Sequence, residues 1–268
     1  LILLHGNPQT HMMWHAIAPD LARHFKVYCP DIRGYGVSPK PLKSADSAAY
    51  SKRAMATDII ELMDHFGHET FAVVAHDRGA RVAHRMALDH PERVERLALL
   101  DIVPTIEHLE RTDMEFARAY PHWFYLAMPA PFPEEMIGAN PEEWLRHHCG
   151  RPTPPHKLFH PEALADYLSC IRDPRVVMGI CEDYRAAFGV DMEHDRHTRA
   201  LGKKIECPLL VLWGETGIIH RLYDPIRIWR EYCSFDVKGH VIEGTGHYLA
   251  EEAPAKVLAH LLPFLGRS

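Results

Sequence analysis

Continuous apolar runs recur along the chain, and each is followed by polar or turn-forming residues. Strands that are covered by helices on both faces lose the polar alternation of half-exposed strands, so short runs of this kind predict a parallel sheet. The predicted strands are residues 1–4, 26–29, 71–75, 94–100, 208–213 and 236–242.

Between these strands, apolar residues recur at helical spacing. In residues 50–67 they are Met55, Ile59, Leu62, Met63 and Phe66, and Gly67 ends the pattern. Further helices are predicted at residues 14–25, from the end of the 71–75 strand to about residue 90, and at residues 254–265. Alternating strands and helices predict an α/β fold, with a mostly parallel sheet and helices on both faces.

The pattern changes after residue 103. In residues 104–199 no strand is predicted, aromatic and proline residues accumulate, and helical stretches alternate with residues that end helices. We therefore predict a core of residues 1–103 and 200–268 that is interrupted by a helical cap of residues 104–199. Because the sequence opens inside an apparent strand, we also expect the first strands of the sheet to precede residue 1.

The most informative turn follows the 71–75 strand, where residues 75–79 read AHDRG. A small residue two positions before and two positions after Asp77 is the spacing of a nucleophile elbow, although hydrolases of the esterase kind carry Ser at the centre. The backbone at the tip of such a turn is strained, and its close neighbours leave room only for Ala or Gly. The same residues also fit an ordinary strand end in which Asp77 caps the next helix.

Other polar residues also follow predicted strands, and they favour the elbow. They are residues 5–8, Asp101, Glu215 and His247. Gly6 is expected to provide a positive φ in the tight turn after the first strand. In open α/β sheets, ligands bind at the carboxyl ends of the strands. We therefore expect these residues and Asp77 to share one site.

Composition narrows the possible partners. The 268 residues carry a net charge of −6 without a basic stripe, which argues against nucleic acid or an anionic membrane. Six cysteines are scattered without C-x-x-C spacing, as expected for reduced thiols in a cytoplasmic protein. No run approaches the roughly 18 apolar residues of a membrane span. The predicted partner is a small molecule.

The chain order Asp77, Asp101, His247 resembles the nucleophile, acid and histidine of the α/β-hydrolase superfamily. An Asp nucleophile narrows the resemblance, and HDRGAR at residues 76–81 is most similar to the haloacetate (fluoroacetate) dehalogenases. The resemblance implies that Asp77 displaces halide from an sp3 carbon, and that His247, oriented by Asp101, activates the water that cleaves the resulting ester. This chemistry needs no cofactor and no metal ion. Related enzymes suggest a homodimer.

The resemblance also implies a set of substrate-binding residues. Arg78 and Arg81 would bind the carboxylate of an anionic substrate through their guanidinium groups, whereas Arg85 is expected on a solvated face. The backbone N–H groups of Asn7 and Arg78 would stabilise the tetrahedral intermediate. The expected halide donors in the cap are His122, Trp123 and Tyr184, with Tyr167 as a nearby competitor for the last position.

Three positions have competing interpretations. Glu215 could be the triad acid in the commoner hydrolase arrangement, although the resembled dehalogenases place the acid after the earlier strand, at Asp101. Asn7 occupies a position where haloacetate dehalogenases often carry an aromatic residue, and where haloalkane dehalogenases carry an Asn that helps to bind halide. The Glu, His and Asp residues of 193–197 could suggest a metal site, but we interpret them as solvated surface.

We therefore predict hydrolysis of a short 2-halo carboxylate, such as haloacetate, to glycolate and halide through an aspartyl ester. An epoxide hydrolase with the same nucleophile would need two cap tyrosines, and only Tyr184 has a suitable position. A haloalkane dehalogenase is a further alternative, although Arg78 replaces the Trp that follows the nucleophile in those enzymes. A non-catalytic ligand-binding member of the fold is the alternative from another class, and the intact set of Asp77, Asp101 and His247 argues against it.

Overall fold

The computed structural model describes residues 1–149 and 153–266. In these residues one parallel sheet is formed, and its spatial order β1-β2-β3-β4-β5 follows the order along the chain. The strands are β1 (Ile2–Leu4), β2 (Phe71–His76), β3 (Val94–Leu100), β4 (Leu209–Gly214) and β5 (Val237–Ile242). The predicted α/β architecture with a mostly parallel sheet is confirmed.

Helices of the core lie before β3 and after β4. The first group comprises α1 (Ala18–Leu21), α2 (Lys52–His65) and α3 (Asp77–Asp89). Between β3 and β4 the described residues form only helices, namely α4 (Thr105–Glu110), α5 (Met114–Ala119), α6 (Pro121–Leu126), α7 (Phe132–Ala139), α8 (Pro141–Cys149), α9 (Pro155–Leu158), α10 (Pro161–Ile171), α11 (Pro174–Phe188) and α12 (Val190–Ala200). The last group comprises α13 (Ile218–Leu222), α14 (Pro225–Tyr232), α15 (Leu249–Glu252) and α16 (Pro254–Leu265).

Helices α4 to α12 occupy the segment that the sequence assigns to a cap, and the division into core and cap at residues 104 and 199 stays a prediction. Short 3-10 helices lie at His11–Trp14, Ala48–Tyr50 and Pro91–Arg93. Across residues 1–149 and 153–266, no helix is long and apolar enough to cross a membrane.

The first part of the chain is less regular than predicted. A continuous helix over residues 14–25 is wrong, because a 3-10 turn ends at Trp14 and α1 is only one turn long. Pro19 lies within α1. It has no N–H to donate, and its ring would clash with the preceding turn of a continuous helix. The predicted strand at residues 26–29 is reduced to a single bridge between Tyr28 and Ile2.

The sheet is buried between two layers of helices. In β2 and β3 the side chains of Val73, Val74 and Leu99 are fully inaccessible to solvent. Helix α3 packs on both of these strands, and α2 packs on α3 through its apolar face. Full burial of one such aliphatic side chain stabilises a fold by roughly 1.5–3 kcal/mol. The carboxyl ends of the central strands are therefore held on a rigid support.

Asp77 lies at the junction of β2 and α3 in a left-handed conformation, with φ at 43°. Such a φ is strained for a residue with a side chain, so the surrounding structure must hold it in place. The amide of Gly79 donates to the carbonyl of His5 at 2.9 Å, which fixes the first turn of α3 against the end of β1. A Cβ atom at residue 79 would lie 2.3 Å from that carbonyl oxygen.

The role expected for Gly6 is different in the structure. Gly6 is not one of the residues with positive φ, so its predicted conformational role is wrong. A Cβ atom at this position would instead lie 2.6 Å from the Cβ of Asp77. A residue without a side chain is needed at position 6 because the loop after β1 passes directly against Asp77.

We expect Gly79→Ala to lower the free energy of unfolding by about 1–3 kcal/mol, because the added methyl group overlaps the backbone of residues 4 and 5. The matched control is Gly138→Ala in α7, where a Cβ atom meets no atom within 4 Å. That change should leave stability equal or raise it by about 0.4–1 kcal/mol. Urea unfolding followed by circular dichroism measures both values. Equal stability of the two variants would contradict this account of the elbow.

Candidate active site

Asp77, Asp101 and His247 line one cavity at the carboxyl ends of the strands. Nδ1 of His247 donates to Oδ2 of Asp101 at 2.6 Å, and Oδ1 of Asp101 accepts from the amide of Gly214 at 3.1 Å. Glu215 turns away, since its carboxylate accepts from the amide of Gly244 at 2.9 Å. The geometry therefore places Asp101, and not Glu215, as the partner of the histidine.

The position and the pKa of His247 are set by its neighbours. Burial alone would lower the pKa of His247, but the hydrogen bond and the charge of Asp101 outweigh burial and raise it above its ordinary value. The backbone oxygen of His247 accepts from Nε2 of His76 at 2.8 Å. Burial lowers the pKa of His76 to about 3, so this second imidazole is neutral and acts as a fixed support.

The carboxylate of Asp77 is ionised although it is buried. Burial alone would raise the pKa of Asp77, but the charges of His247, Arg81 and Arg78 hold it below its usual range. The amide of Asn7 donates to Oδ2 at 3.0 Å. In the described residues the amide of Arg78, which was expected as a second donor, makes no such bond. One carboxylate oxygen is thus fixed by the loop after β1, and the other remains for chemistry.

Arg78 occupies a different position from the one predicted for a substrate clamp. Its side chain is fully buried, and its Nε and Nη2 atoms donate to the two carboxylate oxygens of Asp183 at 2.9 and 2.7 Å. The guanidinium also lies over the ring of Tyr184, 4.2 Å from its centroid. The bidentate edge of the Arg78 guanidinium is therefore occupied by Asp183 of α11. Of the three guanidinium nitrogens of Arg78, Nη1 is the one that has no partner in the described residues.

Arg81 is the guanidinium that faces the cavity. Its Nη1 donates to the carbonyl of Val103 and to Oγ1 of Thr105, both at 3.1 Å, and it lies over the ring of Trp123 at 4.6 Å. Its Nε is buried without a partner, and no carboxylate of the described chain forms an ion pair with it. Burial and the neighbouring Arg78 lower the pKa of Arg81 to about 10. The charge of Asp77 opposes this lowering, but in the described residues no carboxylate lies within ion-pair distance of Arg81, so an anionic ligand could still pair with it.

The predicted solvent exposure of Arg85 is wrong. It was expected on a solvated face, but its side chain is 3% exposed and pairs with Asp89 and Asp195 at 3.1 and 2.7 Å. Asp195, interpreted as solvated surface, is half-buried by the same contact. The misassignment arose because α12 packs against the carboxyl-terminal half of α3, which no local pattern reveals.

The three halide donors expected in the cap share a cavity with Asp77. His122, Trp123 and Tyr184 all line the cavity. The ring centroid of Tyr184 lies 5.8 Å from that of His122 and 5.7 Å from that of Trp123. Tyr167 is placed elsewhere, because its hydroxyl donates to Glu251 at 3.1 Å. The cavity thus presents an imidazole, an indole N–H and a phenol as hydrogen-bonding groups.

Sequence reasoning missed several residues of this site. Tyr120, His108 and His148 also line the cavity, and Asp183 orients Arg78. Two of these had a local signal, since Tyr120 lies two positions before His122 and Asp183 directly precedes Tyr184. His148 had none, because it reaches the site only through the packing of α8 on the rest of the cap.

The cavity has a volume of about 680 Å³ and is bounded by both the core and the cap. Core residues such as Asp77 and Arg81 form its floor, and cap residues such as Trp123 and Tyr184 form its roof. Over the ranges 1–149 and 153–266, no group of three or more His, Cys, Asp or Glu side chains is arranged to hold a metal ion. The arrangement combines an ionised carboxylate, a histidine base and an unpaired cation.

Comparisons with known proteins agree with this geometry. A family model described as alpha/beta hydrolase fold matches residues 1–254. The chain is 43% identical over 266 residues to a fluoroacetate dehalogenase of Burkholderia sp, and the aligned region covers 99% of this chain and 86% of that protein. It is 31% identical over 267 residues to a soluble epoxide hydrolase of Corynebacterium sp. (strain C12), covering 98% and 89% of the two chains. A crystal structure from Nostoc sp PCC 7120, assigned as an alpha/beta hydrolase, has a TM-score of 0.95 and 52% identity, and covers 100% of this chain and 90% of that one.

The different partners of the two arginines predict different effects on stability. Arg78→Met should lower the free energy of unfolding by roughly 3 kcal/mol, because it leaves the buried carboxylate of Asp183 without its bidentate partner. Arg81→Met should stay within about 1 kcal/mol of wild type, because two lost hydrogen bonds are offset by removal of an unpaired buried charge. Urea unfolding of the two variants makes the comparison. Equal losses would show that Arg81 is paired in the folded protein.

Proposed function

The chain belongs to the α/β-hydrolase family, and on that premise we propose that it hydrolyses the carbon–halogen bond of a short 2-halo carboxylate, such as a haloacetate. The observation that supports this most directly is the unpaired guanidinium of Arg81 beside the ionised Asp77. A nucleophile and a positive charge in one buried cavity fit a substrate that carries a carboxylate next to the reacting carbon. The relative named fluoroacetate dehalogenase supports the same reaction.

The substrate carboxylate would bind at Arg81, which lines the cavity and whose Nε has no partner in the described chain. Arg78 is fully buried beside the cavity lining, so it would contribute its positive charge rather than a hydrogen bond. This differs from a bidentate clamp by Arg78, whose fork is used by Asp183. The negative charge of the substrate is thereby balanced before it meets the negative charge of Asp77.

In the first step the free carboxylate oxygen of Asp77 attacks the carbon that carries the halogen. The new C–O bond forms while the carbon–halogen bond breaks, and the bonding electrons leave with the halide. Hydrogen bonds from His122, Trp123 and Tyr184 would stabilise the developing halide charge more than the neutral halogen, which is the condition for accelerating the step. The product is an ester of Asp77.

In the second step His247 takes a proton from water, and the hydroxide attacks the carbonyl carbon of Asp77. Negative charge develops on Oδ2, where the amide of Asn7 already donates a hydrogen bond. Collapse of the tetrahedral intermediate breaks the ester C–O bond, and the imidazolium, stabilised by Asp101, returns the proton to the departing alkoxide. The products are a 2-hydroxy carboxylate and Asp77 in its acid form, which then releases the second proton of the water to solvent and is ionised again, as its lowered pKa favours.

Epoxide hydrolysis is the second candidate, and one observation favours it. Tyr120 lines the cavity together with Tyr184, so two cap tyrosines face the same space, whereas the sequence indicated only one. Phenols in that position could protonate the oxygen of an opening epoxide. Arg81 argues for the acid, because an uncharged epoxide cannot form an ion pair with this guanidinium.

We predict halide release from chloroacetate and fluoroacetate by the wild type, and none by Asp77→Ala, as measured by ion chromatography. Arg81→Gln should lower kcat/KM for chloroacetate roughly 100-fold, because it removes a desolvated charge that pairs with the substrate. Chloroacetamide is the matched neutral substrate. We expect it to release halide more slowly than chloroacetate does, and we expect that rate to change little in Arg81→Gln.

A short chloroalkane and a terminal epoxide are the two further test substrates. Turnover of the epoxide but of no halo acid would replace the proposed reaction by epoxide hydrolysis. Release of halide from the chloroalkane alone would keep the nucleophile and remove the carboxylate-binding role of the arginines.

A further inference from the structure

Asn7 connects the nucleophile to the cap. Its backbone amide donates to Oδ2 of Asp77 at 3.0 Å, and its side-chain Nδ2 lies 3.0 Å from Nε2 of His148. Asn7 follows β1 in the core, whereas His148 belongs to α8 in the cap. Since Asn7 is 2% exposed, solvent does not compete for either bond. The amide that holds the nucleophile is thus tied, through one side chain, to a residue of the cap.

The ring of His148 is itself held in a fixed orientation. It stacks on Trp144, with ring centroids 4.5 Å apart and an interplanar angle of 19°, and it meets the edge of His122 at 4.7 Å. Trp144 is anchored in turn, because its Nε1 donates to the hydroxyl of Tyr125 at 2.8 Å. Burial lowers the pKa of His148 to about 4, so near neutral pH its Nε2 can accept the hydrogen bond from Asn7.

We propose that His148 is a positioning residue that, through the side chain of Asn7, holds the Asn7 amide against Oδ2 of Asp77. The inference rests on the proposed hydrolysis of a halo acid and adds a residue that neither the family pattern nor the halide donors include. Correct docking of the cap is thereby required for correct placement of the oxyanion donor, and α8 contributes to catalysis without contacting the reacting atoms.

This role predicts unequal effects on the two steps. In ester formation the charge on Oδ2 decreases, so a donor at that oxygen gives the transition state no advantage over the ionised carboxylate. In ester hydrolysis negative charge returns to Oδ2, and the same donor stabilises the transition state. Loss of His148 should therefore slow hydrolysis of the ester and leave its formation almost unchanged.

The experiment is rapid-quench kinetics with chloroacetate, in which halide release reports ester formation and intact-protein mass spectrometry reports the aspartyl ester. His148→Phe keeps an aromatic ring for Trp144 and His122 but removes the hydrogen bond. We expect ester hydrolysis to fall on the order of 10- to 100-fold, ester formation to stay within about 3-fold, and the ester to accumulate. His148→Gln, whose amide can accept from Asn7, should restore most of the hydrolysis rate.

A double-mutant cycle tests whether His148 acts through Asn7. Asn7→Ala keeps the backbone amide but removes the side chain, so in that background His148→Phe should have no further effect on ester hydrolysis. Multiplied effects of the two changes would overturn the proposal. His156→Phe replaces an exposed histidine of α9 and serves as the control, with both rates expected at the wild-type value.

The remaining outcomes separate this inference from the function on which it rests. Equal slowing of both steps in His148→Phe, without rescue by Gln, would assign His148 a purely structural role. If His148→Phe does not fold, His148→Leu and the Gln variant give the same contrast, and melting temperatures identify such a failure. Wild-type protein that releases no halide from any halo acid would overturn the proposed function, whereas normal turnover by every His148 variant would overturn only the inference.

Discussion

The proposed reaction requires the site to bring an anionic substrate against the anionic Asp77 inside a buried cavity. Two arginines from the first turns of α3 meet this requirement in different ways. Arg78 is paired with Asp183 and becomes part of the wall, while Arg81 has an Nε without a partner in the described residues and could pair with the proposed substrate carboxylate. If both arginines had protein carboxylates, nothing would attract the substrate, and if neither had one, the uncompensated charge would destabilise the fold.

The cap completes this arrangement and does more than exclude water. Asp183 of α11 also pairs with Lys52 of α2 and accepts from the hydroxyl of Tyr35 at 2.7 Å, so one cap carboxylate joins three parts of the core. The proposed halide donors His122, Trp123 and Tyr184 and the His148 contact also come from the cap. Because these groups are buried and mutually bonded, the position of the cap and the geometry of the nucleophile depend on each other.

The features that the sequence predicted best are those that neighbouring residues determine through local sterics and spacing. The elbow at Asp77 was visible because Gly79 has no space for a side chain, and α16 because apolar spacing continues over its full length. The partner of Arg78 was not predictable, since Asp183 lies 105 positions away and reaches it only through packing of the cap. The prediction that Arg85 is exposed was wrong for the same reason. The prediction of one helix over residues 14–25 was wrong because Pro19 interrupts a pattern that apolar spacing alone would favour.

The central claim is that Asp77 attacks carbon and that water then attacks the carbonyl carbon of Asp77. A single turnover with excess enzyme in water enriched in oxygen-18 tests it most directly. The account predicts that the hydroxy acid leaves with an unlabelled oxygen taken from Asp77, and that mass spectrometry of the digested protein finds the label in the peptide that contains Asp77. Label in the hydroxy acid after that first turnover, with none in the protein, would mean that water attacks the substrate directly, and would contradict the account.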